Sequence, residues 1–307
     1  MNYKKIFPSQ KLRIKLLNML AWVPDPVMLR IQYFIKFNRV LRFKNPKRYT
    51  EKIQHYKYFY RNPLIKQCSD KYDVRDYVRS LGLENILNKQ YGVYDTIEQV
   101  DFSKLPNKFV IKTTDGGGGQ KVFFCKDKKN LNKKMVFEKF KFTPKPKKNI
   151  AREWGYQNRK RKIIIEEYLE DPGNQNRGLN DYKFFCFKGT PKYVVLDYNR
   201  FQNHQRNFYD IEWNLLDVSS DKDKIKEPFS KPENFSEMMR VAELISSPFP
   251  ALRVDLFNVN GKVRFGEMTF YPWSGYIKFN PDEFDYILGE HFEINYMQHK
   301  RRPTNKD

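Results

Sequence analysis

The sequence predicts an α+β fold, with a mostly helical first third and a strand-rich remainder. Residues 10–40 carry apolar side chains at helical spacing, and the prolines within residues 24–26 interrupt them, which predicts two helices. Residues 70–81 place apolar side chains on one face ahead of Gly82, which predicts another helix with a glycine after its end. From Lys108 onward the pattern changes to short apolar runs that are typical of strands.

The second part of the chain is predicted element by element. Strands are expected at residues 109–114, 122–125, 163–169, 183–187, 193–197, 252–258 and 262–270. Helices are expected at residues 149–162 and 236–245. Segments rich in Lys, Asn and Pro, including residues 143–149 and 171–179, are expected to be loops.

The composition is that of a globular protein with a strongly basic surface. The chain has 307 residues, 40% of them hydrophobic, which is enough for one large domain or two. Lys and Arg number 58 against 36 Asp and Glu, so the formal net charge is +22. Such a surface attracts polyanions, whether nucleic acid, nucleotides, anionic glycans or an anionic membrane, and charge alone does not choose among them.

Several classes of protein are excluded by what the sequence lacks. The cysteines Cys68, Cys125 and Cys186 are odd in number and widely spaced, which argues against a disulfide framework and a zinc ribbon. The four histidines form no metal-binding pattern. The apolar stretch at residues 16–40 is too polar to span a bilayer and does not resemble a signal peptide, so we expect a cytoplasmic protein.

The helical segment at residues 10–40 has two interpretations. Its apolar residues alternate with basic ones, including Arg30, Lys36 and Arg39. One interpretation is that the apolar face packs into the core. The other is that a basic amphipathic segment lies on anionic lipid, peripheral to the inner face of the membrane.

A glycine-rich hairpin is the most specific local motif. The predicted strand at residues 109–114 contains Lys112, and Asp115 and the glycines 116–119 separate it from a second strand at Val122. Glycines let backbone N–H groups approach phosphate oxygens, and the lysine adds a positive charge. A strand follows instead of a helix, so the motif is neither a Walker A loop nor a Rossmann turn. It predicts a phosphate-covering hairpin, with an ordinary flexible hairpin tip as the alternative.

Two further motifs combine apolar strands with carboxylates. The strand at residues 163–169 carries Glu166 and Glu167, which suits a hinge that hydrogen-bonds an adenine edge but also suits an ordinary strand end. Asp255 and Glu267 each lie within an apolar run, and two buried carboxylates so close in sequence call for a cation between them. Oxygen ligands beside a phosphate loop indicate Mg²⁺, with Arg253 placed to contact a transferring phosphoryl group. An ion pair between Arg253 and Glu267 is the alternative.

The shared metal site requires a particular strand register. Asp255 and Glu267 must point to the same face of the sheet, and side chains alternate with a period of two. A plain two-residue turn at Asn260 and Gly261 would place the two carboxylates on opposite faces. We therefore predict a three-residue loop, Val259-Asn260-Gly261, with Gly261 at positive φ, or failing that a bulge that restores the same parity.

These motifs, in this order, resemble those of the ATP-grasp superfamily. The chain is most similar to the TupA-like ATP-grasp family, which is associated with teichuronopeptide and capsular polysaccharide synthesis in bacteria. The resemblance covers most of the chain and includes the strings Tyr49-Thr50-Glu51-Lys52-Ile53-Gln54, Asp70-Lys71-Tyr72 with Arg75, Leu105-Pro106, Asp181-Tyr182-Lys183-Phe184-Phe185-Cys186-Phe187, Arg253-Val254-Asp255 and Phe265-Gly266-Glu267-Met268-Thr269-Phe270. One departure is Asp115, which stands where the family usually has a histidine.

The resemblance implies a role for each candidate site residue. The residues implied to bind ATP are Lys112 at the α-phosphate, Gly116, Gly117, Gly118 and Gly119 over the β- and γ-phosphates, Glu166, Glu167, Tyr168 and Leu169 as the adenine hinge, and Asp181 near the ribose. The implied catalytic residues are Arg253 and Lys183, the latter facing the phosphates or the acyl acceptor. The implied Mg²⁺ ligands are Asp255, Glu267 and Thr269, and Trp273 would begin a substrate loop.

The resemblance also implies an activity and a domain organisation. An ATP- and Mg²⁺-dependent carboxylate–amine ligase would act through an acyl phosphate, with an amino acid or amine as one substrate. The other would be an acidic glycan, or a nucleotide- or lipid-linked sugar that carries a carboxylate. A helical region at residues 1–60, a pre-ATP-grasp-like segment at 61–105, a catalytic domain at 106–297 and a basic tail at 298–307 are expected.

Two alternatives from other classes remain at this point. A glycosyltransferase of polysaccharide synthesis would use a nucleotide-sugar in place of ATP. A non-enzymatic basic module would bind nucleic acid through aromatic residues among its lysines. The carboxylate pair would repel phosphate unless a metal intervened, so no nucleic acid partner is expected.

Overall fold

The computed structural model describes residues 9–115, 121–142, 150–171, 178–200, 202–226 and 228–294. In this part of the chain the strands form two antiparallel sheets flanked by helices, which confirms the α+β prediction. The helices are α1 (Gln10–Met19), α2 (Asp25–Phe37), α3 (Tyr49–Phe59), α4 (Pro63–Ser69), α5 (Val74–Ser80), α6 (Lys133–Phe140), α7 (Phe235–Ser246) and α8 (Phe284–His291). The strands are β1 (Gln90–Tyr94), β2 (Phe109–Thr113), β3 (Val122–Cys125), β4 (Ile163–Glu167), β5 (Asp181–Phe187), β6 (Thr190–Tyr198), β7 (Gln205–Asp210), β8 (Ala251–Val259) and β9 (Lys262–Thr269).

The first sheet has the strand order β1-β4-β2-β3. One of its faces carries Phe109, Ile111, Ile163 and Ile165, which form a small core with α6 and the segment before β2. Because side chains alternate along a strand, the opposite face carries Lys112 and Glu166 together with buried apolar residues. The apolar face anchors the sheet, and the opposite face presents these two charged side chains.

The second sheet has the order β7-β6-β5-β8-β9 and contributes to the main core. Helix α7 packs against β5, β6 and β8 on one face. On the opposite face Tyr49 of α3 contacts Phe185, and Phe284 of α8 contacts Tyr193. The main core therefore joins residues 49–87, from the first third of the chain, to residues 182–292 near its end.

The helices predicted at the start of the chain are confirmed. The Ser9 side chain accepts a hydrogen bond from the Leu12 N–H, which caps α1. The two prolines flank Asp25 at the start of α2, where a missing N–H costs nothing, and Asn38 ends that helix in the left-handed region. The helix predicted at residues 70–81 is confirmed in a shorter form, α5, because the Asp70 carboxylate holds a turn through the N–H groups of Tyr72 and Asp73.

The helix predicted at residues 149–162 is wrong. Within residues 150–162 the structure has turns and one short 3₁₀ segment, Trp154–Tyr156. Arg152 and Asn158 both have positive φ, which breaks a helix. Gly155 packs so closely on α4 that an added Cβ would lie 2.7 Å from the Ser69 hydroxyl. Tertiary contacts override the helical spacing here, and residue 149 lies outside the described residues.

The predicted strands are confirmed, with β3 matching at both ends and the ends of the others shifted by no more than three residues. Helix α7 likewise agrees with the prediction for residues 236–245. Strands β1 and β7 were not predicted, because their sequences, QYGVY and QRNFYD, contain few apolar residues. Among the residues that the structure describes, no helix is both long and apolar enough to cross a membrane.

Candidate active site

A row of charged residues crosses one face of the second sheet. Lys183 on β5 pairs with Asp255 on β8, which pairs in turn with Glu267 on β9. In the row beside it, Asp197 on β6 pairs with Asp181 on β5. Residues that face each other across neighbouring strands share a face of the sheet. The sheet thus gathers candidate residues that are far apart in sequence.

In the hairpin between β8 and β9, Asp255 and Glu267 point to the same face of the sheet, as the metal site requires. A bulge produces this arrangement, which was the second of the two predicted possibilities. The three-residue loop is wrong, because Val259 pairs with Lys262 across a two-residue turn in which Asn260 and Gly261 both have positive φ. A bulge between Asp255 and Leu256 then shifts the register by one residue, and Gly266 is the extra residue on β9. This bulge brings Asp255 opposite Glu267.

Asp255 is buried and is held by two cations. The Arg253 guanidinium donates from Nε to Oδ1 and from Nη2 to Oδ2, both at 2.7 Å, and Lys183 Nζ lies 2.8 Å from Oδ2. Burial raises the pKa of the Asp255 carboxyl, while Arg253 and Lys183 oppose that shift. Lys183 also donates to Asp181, whose other oxygen, Oδ1, is buried without a hydrogen-bond partner. These residues form a compact, mutually neutralising cluster.

Glu267 is more open than Asp255 and lies at the edge of this cluster. Its Oε1 accepts from the Thr269 hydroxyl at 3.1 Å and lies 3.5 Å from Arg253 Nη2. Lys71 Nζ lies 3.7 Å from Oε2. Burial raises the pKa of Glu267, but Lys71, Arg253 and Lys183 outweigh it and lower the pKa to about 2. The carboxylate is therefore ionised at neutral pH, as a metal ligand must be.

A second group of charged residues beside Lys183 was not predicted from the sequence. Asp197 accepts hydrogen bonds from Arg206 at 2.5 and 3.2 Å, and the His204 ring lies 3.2 Å from it. Arg200 donates to Asp181 at 2.6 Å. Asp197 could have been singled out from the sequence, because it is a carboxylate that follows an apolar run. Asp255 was singled out by a similar pattern. These side chains continue the charged row to the far edge of the sheet.

The loop that begins at Trp273 closes one end of the site. Its indole lies 5.0 Å from the Arg206 guanidinium and 5.5 Å from that of Arg253, and it stacks on Phe185. Trp273 and Ser274 both have positive φ, a conformation that side chains disfavour.

Two side chains of α3 stabilise this strained loop. Gln54 donates to the carbonyls of Ser274 and Gly275. The buried Lys57 donates to the carbonyl and the hydroxyl of Ser274 at 2.8 and 2.7 Å. Helix α3 thus contributes to the site through the backbone of the loop.

The first sheet provides the opposite wall of a narrow cleft. Lys112 Nζ lies 2.7 Å from Oε2 of Glu166, and Arg75 Nη1 lies 3.0 Å from Oε1 of the same carboxylate. The bulge glycine, Gly266, and Lys71 line the same cleft. Lys112 and Glu166 were predicted, whereas Arg75 and Lys71 had been noted only as part of a family string. Lys71, Arg75 and Lys112 therefore lie together in this cleft, at the end of the charged row that carries Glu267.

The remaining predicted hinge residues follow Glu166 along β4. The Glu167 N–H donates to the Lys89 carbonyl, and the Glu167 carboxylate accepts from the Lys89 N–H at 2.8 Å. The Tyr168 ring packs edge-on against Phe124, and Leu169 is half-buried. The adenine-binding role of this segment stays a prediction.

The glycines predicted to cover the phosphates, residues 116–119, lie outside the described residues. Asp115, which directly precedes them, accepts a hydrogen bond from Arg161 Nε at 2.7 Å. Where the family usually has a histidine, this chain therefore has an aspartate that forms an ion pair with Arg161.

The donor set around Asp255 and Glu267 fits Mg²⁺. Two carboxylates face each other across neighbouring strands, the Thr269 hydroxyl is adjacent, and all the donors are oxygens. Among the described residues no group of three His, Cys, Asp or Glu side chains could hold a metal. Mg²⁺ is usually bound through one or two carboxylates together with substrate phosphates and water, so a two-carboxylate site suits a nucleotide-borne ion. Lys112, Arg75 and Lys71 provide the positive charge that a triphosphate requires.

Solved structures of ATP-dependent ligases share similarity with this chain. D-alanine–D-alanine ligase from Bacillus anthracis is 16% identical, with a TM-score of 0.45 over 76% of this chain and 69% of that chain. The Helicobacter pylori D-alanine–D-alanine ligase is 14% identical, with a TM-score of 0.42 over 78% and 60% of the two chains. N5-carboxyaminoimidazole synthetase from Staphylococcus aureus, solved with ADP, is 13% identical, with a TM-score of 0.40 over 66% and 44%.

The sequence has no match among curated proteins. The family model for TupA-like ATP-grasp proteins matches residues 51–293, which is most of the chain. The ATP-grasp fold is that of ATP- and Mg²⁺-dependent ligases. The matched range contains the charged row, the cleft and the hairpin described above, and the chain belongs to the TupA-like ATP-grasp family.

Proposed function

We propose that the protein joins an amino acid or another amine to a carboxylate of an acidic glycan during bacterial capsule or cell-wall polysaccharide synthesis. The observation that carries the ligase chemistry is the pairing of Asp255 with Glu267 across β8 and β9, beside Arg253 and Lys183. Two carboxylates and two cations then lie on one sheet face, opposite Lys112. This combination suits the alignment of a nucleotide phosphate with an anionic acceptor.

A carboxylate must be activated before an amine can displace one of its oxygens. ATP would supply the γ-phosphoryl group that converts the acceptor carboxylate to an acyl phosphate, with ADP as the leaving group, and Mg²⁺ would neutralise the phosphate oxygens. Attack by the amine nitrogen on the acyl carbon then forms the C–N bond, releases inorganic phosphate and transfers a proton to solvent. This sequence requires alignment and charge neutralisation rather than a nucleophilic side chain.

The chain's own residues have distinct roles in this scheme. Glu267 and Asp255 would hold the metal, because both carboxylates face the same side of the sheet. Arg253, which donates two hydrogen bonds to Asp255, is fixed in position to neutralise a phosphoryl oxygen. Lys183 lies between Asp181 and Asp255 and can exchange one of these partners for a phosphate or the acceptor carboxylate. Lys112 approaches the nucleotide from the opposite wall.

The glycan part of the proposal is supported by charge and by family. The net charge of +22 favours polyanionic substrates, and a uronic acid is a carboxylate on a sugar. The acceptor would be a free acidic glycan, or a nucleotide- or lipid-linked sugar with a carboxylate. The TupA-like family's association with capsule and teichuronopeptide synthesis points to the same class of substrate.

The test is phosphate release from ATP with Mg²⁺, screened over pairs of uronic acids and amino acids. We expect release only when a sugar acid and an amine are both present, together with a product whose mass equals the two substrates minus water. Hydrolysis that neither substrate stimulates would contradict the proposed substrates. Transfer from a nucleotide-sugar without ATP would instead favour a glycosyltransferase.

Glu267→Gln tests the metal role directly. The change preserves the shape of the side chain but removes one negative charge from the ion, so ligation should fall by about a hundredfold or more. Glu138→Gln, at an exposed position on α6, is the matched control and should keep full activity. Thermal denaturation should show that both variants are folded. Normal turnover of Glu267→Gln would contradict the metal assignment.

A further inference from the structure

The first two helices expose an unusual amount of apolar surface. Two thirds of the large apolar side chains that the described part of the chain exposes lie between residues 12 and 40. Trp22 is 78% exposed, Val40 71% and Met19 66%. Scattered single apolar residues on a surface are normal, but a concentration within one segment marks an interaction site.

Helix α2 has two apolar stripes instead of one. Leu29, Tyr33 and Phe37 face inward and form a small core with Leu41. Val27, Ile31 and Phe34 recur at helical spacing on the outer side, and each is more than 40% exposed. An ordinary surface helix has a polar outer stripe, so packing against the core explains only the inner half of this helix.

The same segment carries a large excess of positive charge, although Arg39 and Arg48 pair with Asp282 outside it. Residues 1–48 contain twelve Lys and Arg and one acidic residue, Asp25, a net charge of +11. Asp25 is paired with Arg152, 2.7 Å away. Lys15, Arg42 and Lys44 are exposed in the same region as the apolar side chains. The surface is therefore both apolar and cationic.

We propose that α1, α2 and residues 38–44, together the basal surface, bind the surface of an anionic lipid bilayer. The outer apolar side chains would enter the boundary between headgroups and acyl chains, and the flanking Lys and Arg would contact the anionic headgroups. A second copy of this chain would bind the basal surface less favourably than anionic lipid. A symmetric dimer through this surface would bring together two segments of net charge +11.

The basal surface lies one helix layer from the strained loop of the site. Gln32 on α2 accepts a hydrogen bond from the Tyr276 hydroxyl at 2.8 Å, and Tyr276 directly follows the loop at residues 273–275. A bilayer on the outer side of α2 would thus lie close to the end of the charged row. If the acceptor is a lipid-linked glycan, a point that rests on the proposed function, this arrangement brings enzyme and substrate to the same membrane.

The test is co-sedimentation of the full chain with vesicles, without ATP or acceptor, so that its outcome is independent of the ligase activity. We expect binding to mixed phosphatidylglycerol–phosphatidylcholine vesicles and little binding to pure phosphatidylcholine. Binding should weaken as salt rises toward about 0.15 M, because exposed charges are screened over about 8 Å there. Equal binding to both vesicle types, or binding to neither, would overturn the proposal.

Two pairs of matched variants locate the bound surface. Trp22→Ser with Phe34→Ser should lower vesicle affinity about tenfold or more. Met135→Ser with Leu215→Ser, at positions that are 45% and 44% exposed elsewhere, should leave it unchanged. Arg42→Ala with Lys44→Ala should weaken binding at low salt more than Lys129→Ala with Lys134→Ala, which removes the same charge from another exposed region.

The variants also separate lipid from other occupants. Equal losses in the test and control variants would show that binding is non-specific and would overturn the assignment to this surface. A dimer in light scattering that Trp22→Ser with Phe34→Ser dissociates would assign the surface to a second copy and overturn the lipid proposal. Circular dichroism of each variant confirms that the fold is retained.

Discussion

Lys57 is a buried charged residue that stabilises the backbone of the loop at residues 273–275. Its side chain is 1% exposed, and Nζ donates to Ser274 and to the Ala151 carbonyl. Burial lowers the pKa of Lys57 to about 8, although Glu153, 3.9 Å away, raises it in part. The ammonium group is thus still charged at neutral pH, where it stabilises carbonyls that a left-handed backbone would leave without partners.

Lys57→Met should reveal this buried charge through the pH dependence of stability. The folded-state pKa of Lys57, about 8, is below the ordinary lysine value of 10.5, so the unfolded chain binds more protons between these pH values. The unfolding free energy of the wild type should therefore rise relative to the variant by up to about 3 kcal/mol from pH 8 to 10.5. Urea denaturation at several pH values measures this difference.

The exposed Lys44 provides the control for that experiment. Lys44→Met removes a lysine with the same charge from an exposed position and so controls for the loss of one positive charge as such. A constant difference between wild type and Lys57→Met over the same pH range would contradict the buried-charge interpretation.

The β8–β9 hairpin shows how one element sets the geometry of the site. A two-residue turn alone would place Asp255 and Glu267 on opposite faces, and the bulge at Gly266 reverses that outcome. An added Cβ at Gly266 would lie 2.7 Å from the Asp255 carbonyl oxygen. Only glycine allows the two strands to approach this closely while carrying an extra residue.

Gly266→Ala should damage both stability and catalysis. The contact with backbone cannot be relieved by a side-chain rotation, so we expect destabilisation of about 1–3 kcal/mol. Ligase activity should fall further than stability accounts for, because Glu267 is displaced from Asp255. Gly261→Asn in the same hairpin is the control, since nothing lies within 4 Å of its Cβ and asparagine tolerates positive φ. Equal activity in the two variants would show that the bulge has no functional role.

Some elements of the fold could be predicted from the sequence and others could not, for physical reasons that the structure identifies. Strands with continuous apolar runs, such as β4, were predicted because burial on both faces leaves a clear signal. The polar strand β7 and the loop at residues 150–162 were not, because their conformations depend on neighbouring elements. Within the site, Asp255 and Glu267 were recognisable as carboxylates in apolar runs. Arg206 and Lys57 were not, since only the fold brings them to Trp273 and Ser274.

The whole molecule carries far more positive than negative charge. Many of its acidic groups are already in ion pairs, such as Glu166 with Arg75 and Lys112, and Asp282 with Arg39 and Arg48. The excess of +22 therefore consists largely of cations that repel one another across the surface. Exposed pairs such as Lys108 with Glu170 offset little of this repulsion, because each contributes about 1 kcal/mol or less.

Salt should accordingly stabilise the protein. Raising KCl from about 10 mM to about 150 mM shortens the screening length from about 30 Å to about 8 Å, which weakens repulsion over the whole surface. We expect the thermal midpoint to rise by a few degrees. Glycine betaine at matched osmolarity leaves the ionic strength unchanged and provides the control. A midpoint that falls with KCl would mean that the surface ion pairs outweigh the repulsion.

The main core also constrains how the chain can be synthesised. Tyr49 and Tyr56 of α3 pack against Phe292, which is synthesised much later than α3 itself. At translation rates of about 5–20 residues per second, the roughly 200 residues between residues 87 and 292 take about 10–40 s to emerge. During this interval Tyr49 and Tyr56 lack Phe292, so the aromatic face of α3 is incompletely packed on the ribosome. Nascent chains of this protein are therefore expected to expose part of this aromatic face until residue 292 has left the ribosome.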